Sequence, residues 1–88
     1  MIDATGCTIT LYTQDGCADS AVVRVWLTEQ RVLFTQRNVS NDPDAAVALA
    51  RTGIFATPLV TICTHTVFGN RPQRIARTID TCEFRQVA

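Results

Sequence analysis

The 88-residue chain contains no lysine, so its eight basic side chains are all arginine. A guanidinium does not deprotonate in proteins, which excludes chemistry that requires a free side-chain amine, Schiff-base formation included. Charge of one sign is also missing. Eight acidic residues balance the arginines to a net charge of zero, and the arginines are spread along the sequence, so nucleic acid is not an expected partner. Long apolar runs are absent: the longest, Ala45 to Ala50, falls far short of the roughly 20 residues that span a bilayer, and no membrane association is expected. The four cysteines, Cys7, Cys17, Cys63 and Cys82, include no close pair. The nearest approach to zinc-ligand spacing is Cys63-Thr64-His65, and no metal site is expected. Met1 to Gly6 carries an acid, Asp3, where a secretory leader has basic residues, and no apolar block of leader length follows. The cytoplasm is the expected location.

What remains is a composition of 47% hydrophobic and 18% charged residues, that of one small globular domain over 1–88. Thr8-Ile9-Thr10-Leu11-Tyr12 alternates and reads as a strand, followed by the polar turn Thr13-Gln14-Asp15-Gly16. From Ala18 to about Gln30 the period becomes helical, with Val22, Val25 and Trp26 as the face expected to pack on a sheet. Leu33 to Val39 is a modest strand signal. Asn41-Asp42-Pro43 opens a second helix that runs to about Thr52, and Gly53 closes it. Leu59 to Cys63 and Thr66 to Phe68 read as two strands of a hairpin, with Thr64-His65 as the tight connection and His65 a solvated turn residue. Pro72 opens a third helix with Ile75, Ile79 and Cys82 on one face. The order β-α-β-α-β-β-α predicts an α/β fold: a four-stranded mixed sheet, its first two strands parallel, flanked on both faces by helices.

Cys17 alone among the cysteines lies where a strand's carboxyl end, a glycine-containing turn and a helix N-terminus meet. Unpaired N–H groups and the positive end of the helix dipole favour a thiolate there, and a thiolate is a nucleophile. Three residues on, where a dithiol oxidoreductase has its second cysteine, stands Ser20. Asp15 and Asp19 flank Cys17, and their charges are expected to oppose its ionisation.

Tyr12-Thr13-Gln14-Asp15-Gly16-Cys17-Ala18-Asp19-Ser20, Ala56-Thr57-Pro58 and Gly69-Asn70-Arg71-Pro72 together resemble the glutaredoxin family, including its glutaredoxin-like hydrogen donors of ribonucleotide reductase, over nearly the whole chain. The resemblance implies a thioredoxin-like fold with Pro58 cis and facing Cys17. It also implies that the Thr57 backbone pairs with an extended peptide or with glutathione, and that Tyr12, Gln14, Asn70 and Arg71 border the substrate groove. Two positions depart from the family pattern: Gln14 stands where many relatives have a lysine, and Gly69-Asn70-Arg71-Pro72 replaces Gly-Gly-x-Asp.

The resulting expectation is a monomeric thiol–disulfide oxidoreductase working by a monothiol route through Cys17, with Ser20 as a hydrogen-bond donor. Its substrates are disulfide-containing or glutathionylated proteins. No bound cofactor is expected; glutathione or another low-molecular-weight thiol acts as co-substrate, and a thiol reductase is a further candidate partner. The alternatives are a non-catalytic binding module with the same groove, or a glutathione-ligated iron–sulfur carrier. Cys7 begins the first strand and Cys63 ends the third, and the family topology makes these strands antiparallel neighbours, so the two residues are expected close together. They are read as two small buried hydrophobes in preference to a disulfide.

Overall fold

The computed structural model describes residues 8–87, with side chains through residue 81. Seven elements follow in order: β1 (Ile9–Thr13), α1 (Ala18–Glu29), β2 (Thr35–Asn38), α2 (Pro43–Arg51), β3 (Leu59–Ile62), β4 (His65–Phe68) and α3 (Pro72–Val87). The sheet order is β2-β1-β3-β4. β1 runs parallel to β2 and antiparallel to β3, and β3 to β4 is antiparallel. The mixed α/β sheet expected from the element order is therefore the one present.

Side-chain alternation divides β1 between two cores. Leu11 and its cross-strand partner Val60, with Ile62 and Val67, pack under Val23 and Leu27 of α1 and Ile75 and Ile79 of α3. Tyr12 and its partner Leu59 face the other way, against Ala45 and Leu49 of α2. The central pair β1–β3 is thus covered on both faces, which fixes the ends of both strands rigidly, and those ends carry the site.

The buried stripe of α1 differs from the one expected. Val22 and Val25 are 48% and 45% exposed, whereas Ser20, Val23 and Leu27 are buried and Trp26 packs at the edge of the core. The run has apolar residues on more than one side, so periodicity admits two stripes, and the way β1 delivers the helix to the sheet selects the one that starts at Cys17 and Ser20. α2 forms as its signals require: Asp42 caps it, its side chain accepting from the N–H groups of Asp44 and Ala45, and Gly53 follows at φ +83°. At the end of α1 the left-handed position falls instead to Arg31, φ 60°.

The β3–β4 turn is Cys63-Thr64, one residue earlier than the sequence suggests, and His65 is the first residue of β4, paired with Ile62. Cys63 adopts φ 53°, its N–H donates to the Thr8 carbonyl at 3.2 Å, and it is exposed and disulfide-bonded. The reading of Cys63 as a small buried hydrophobe is thereby corrected: a two-residue hairpin turn projects its side chain to the surface. Cys7 and the side chain of Cys82 lie outside the described residues.

Candidate functional site

The β1–α1 loop delivers Cys17. Gly16, at φ +78°, reverses the chain, and the Cys17 N–H closes the turn on the Gln14 carbonyl at 3.1 Å. Cys17 is the N-cap of α1, with extended backbone and no side-chain capping bond, so its sulfur is not consumed by the helix it begins. It is a free cysteine and part-exposed.

The second wall is the segment entering β3. The Thr57–Pro58 peptide bond is cis, as the resemblance implies, and Pro58 is buried. The Cys17 Sγ–H points at the Thr57 carbonyl oxygen, 3.7 Å away. The Thr57 hydroxyl donates to Gln14 Oε1 at 3.3 Å, tying the two loops together across the site. The third wall is the turn after β4: the Gly69 N–H donates to the Pro58 carbonyl at 2.9 Å, and the Arg71 N–H to the Gly69 carbonyl at 3.0 Å. Gly69 sits at φ +94°, a conformation that favours glycine and brings this turn against Pro58.

Ser20 lies one helical turn beyond Cys17, on the buried stripe of α1, and is 2% exposed. Its hydroxyl has no hydrogen-bond partner in the thiol form, a costly state for a buried polar group. The Ser20 hydroxyl is the largest influence holding the Cys17 pKa below that of an ordinary thiol, followed by Thr57; burial opposes them, and the backbone N–H groups of Ser20 and Asp19 add to the lowering. The Thr57 carbonyl is an acceptor and suits only the thiol, whereas the Ser20 O–H and the helix N–H groups are donors and favour the thiolate.

Opposition from the aspartates does not figure in this balance: burial is the one effect raising the Cys17 pKa. Asp15 is turned toward β2, where its carboxylate accepts from Asn38 Nδ2 at 2.8 Å and its N–H donates to Ser40 Oγ at 2.9 Å.

The structure brings Cys17, Ser20, Gln14, Thr57 and Pro58 together, with Asn70 and Arg71 on the adjoining turn. Tyr12 is placed elsewhere: it is 7% exposed and packs in the α2-side core, the consequence of strand alternation. Phe55, absent from the sequence-level site, is 78% exposed two residues before Thr57. The signal available for it was an aromatic in a Gly-Ile-Phe-Ala-Thr-Pro loop, outside any periodic element and so without a core to enter.

A part-exposed cysteine at the start of the first helix of a β-α-β-α-β-β-α sheet, beside a cis-proline, is the arrangement of a thioredoxin-like fold, the fold of the thiol oxidoreductase family to which comparisons with known proteins point. The chain belongs to the glutaredoxin family, whose model matches residues 9–65 under the description Glutaredoxin. Among curated proteins it is similar to the glutaredoxin-like protein NrdH of Lactococcus lactis subsp. cremoris, 26% identical over 69 residues that cover 78% of this chain and 96% of that one. Among solved structures it is similar to the glutaredoxin-like protein NrdH-redoxin from Escherichia coli, with a TM-score of 0.71 and 30% identity over 80% of this chain and 92% of that one. A buckwheat glutaredoxin–glutathione complex shares the fold, with a TM-score of 0.64 at 14% identity over 83% of this chain and 72% of that one.

Proposed function

We propose that the protein reduces mixed disulfides by a monothiol route through Cys17. The Cys17 thiolate attacks one sulfur of a substrate disulfide; a Cys17–sulfur bond forms, the substrate S–S bond breaks, and the second sulfur leaves as a thiolate that takes up a proton. A low-molecular-weight thiol of the glutathione class then attacks the Cys17 mixed disulfide, regenerating the Cys17 thiolate and carrying away the oxidised pair. The departing disulfide pairs the donor sulfur with the substrate half that Cys17 held, so one donor thiol is consumed in each turnover and the proton it loses is the one the released substrate thiolate takes up. Ser20 cannot resolve the intermediate, because an alcohol does not form a disulfide; its part is to donate a hydrogen bond to the Cys17 sulfur when that sulfur is an attacking or leaving thiolate. Thr57, with its carbonyl already directed at Sγ, lines the approach of the substrate sulfur, and Gln14, Asn70 and Arg71 border the groove.

The observation that carries this reading is the part-exposed Cys17 sulfur at the start of α1, without a capping bond to its own helix and 3.7 Å from the Thr57 carbonyl. Incubation with glutathione disulfide followed by peptide mapping tests it: the expected result is a glutathione adduct on the peptide bearing Cys17. An unmodified Cys17 peptide in the folded protein contradicts it.

A further inference from the structure

Three of the eight arginines, spread though they are in the sequence, meet in space. Arg71 immediately precedes α3, and Arg74 and Arg77 follow at intervals of three in its first turns, neighbours on the helix surface. They wall an open groove of about 1000 Å³ that His65, the first residue of β4, also lines. Of the groove residues, Arg71 follows the Gly69 turn whose N–H donates to the Pro58 carbonyl, and His65 lies at the opposite, Ile62–His65 end of the hairpin.

Among the described residues no ion pair neutralises this face: the ion pair present is Arg37–Asp42, at 3.8 Å, and none of the three groove arginines takes part in one. The groove threonines spend their protons within the helix, Thr78 on the Arg74 carbonyl and Thr81 on the Arg77 carbonyl. The guanidiniums are the permanently cationic donors the groove offers, beside the Gln73 amide and His65, and like charges near one another on a helix repel until an anion enters. In a chain of zero net charge such a concentration is local, which suits a short acidic segment better than a long polyanion. The α3 wall also lies beyond residues 9–65, the part matched by the family model.

We infer that this groove docks an extended acidic segment of the protein whose disulfide Cys17 attacks, an inference that rests on the oxidoreductase reading and specifies its partner. Three residues of helix rise about 4.5 Å, so the backbone positions of the three arginines span about 9 Å, a length an extended peptide covers in about three residues. Carboxylates along such a segment meet successive arginines, with the segment's cysteine end directed toward Arg71 and the site.

The test is an NMR titration of the isotope-labelled Cys17→Ser protein, which needs no turnover, so failure of the catalytic reading leaves its outcome untouched. The probes are an acetylated hexaglutamate peptide, its hexaglutamine counterpart, inorganic phosphate and a single-stranded oligothymidine. The expected result is hexaglutamate shifts confined to His65 and residues 71–81, no hexaglutamine shifts, and about tenfold weaker binding in the Arg74→Glu/Arg77→Glu variant. Should that variant fail to fold, Arg74→Gln/Arg77→Gln serves, with the same direction expected. Absence of shifts at these residues, binding that survives both variants, or equally tight binding of phosphate or oligothymidine overturns the inference.

Discussion

The sulfur of Cys17 lies 3.7 Å from the carbonyl oxygen of Thr57, forty positions further along the chain. Two features hold that approach: the N-cap geometry that leaves Sγ without a bond to its own helix, and the Gln14–Thr57 side-chain bond that ties the two loops. The carbonyl accepts from the thiol and gives nothing to the thiolate, so ionisation depends on other donors, Ser20 foremost.

Ser20→Ala removes the leading donor, and the Cys17 pKa should rise toward the value of a free thiol. The thiolate ultraviolet absorbance, followed against pH, reads this directly. An unchanged titration would place the lowering on Thr57 and the helix amides instead. Because the Ser20 hydroxyl is buried without a partner in the thiol form, Ser20→Ala should also cost little stability at acidic pH.

The same shift links ionisation to stability. The folded pKa of Cys17 lies below the unfolded one, so the folded state binds fewer protons in the window between them. The contribution is fully present above the unfolded thiol value and is lost as pH falls through the folded pKa. Urea denaturation of wild type and Cys17→Ser across this window should show wild type gaining stability relative to the variant as pH rises. A pH-independent difference would contradict the lowered pKa.

Burial on α1 makes a prediction that separates neighbouring side chains. Leu27→Ala empties space under a fully buried side chain and should cost about 2–5 kcal/mol. Val22→Ala, on the exposed side, should change stability by less than about 0.5 kcal/mol. Chemical denaturation of the two variants distinguishes the observed stripe from the Val22-Val25 face.

Asp42 accepts from two otherwise unpartnered N–H groups of α2. Asp42→Ala should cost about 0.5–2 kcal/mol, while Asp42→Asn, which keeps the acceptor but loses the ion pair with Arg37, should cost less. Thermal melts of the two variants measure the difference.

Element order and sheet layout are legible in the sequence because local signals agree: alternation in β1, Asp42-Pro43 at the start of α2, Gly53 at its end. The site is legible for Cys17, Ser20, Thr57 and Pro58 because motif residues sit at element junctions. What escapes a linear reading depends on facing. Tyr12 lies inside β1, a strand covered on both sides, so its proximity in sequence to Cys17 does not bring it to the groove. Asp15 flanks Cys17 in sequence, yet Asn38 of β2 holds its carboxylate. Cys63 is carried outward by a turn placed one residue earlier than expected. The arginines of α3 gather only when the helix is wound against the hairpin.

The most direct test is turnover: reduction of a glutathionylated peptide by wild type and Cys17→Ser, with glutathione and its reductase in one cuvette and thioredoxin reductase in another. The monothiol route predicts turnover by wild type in the glutathione cuvette and none by the variant. Turnover that persists in Cys17→Ser, or a folded wild type that turns over in neither cuvette, contradicts it.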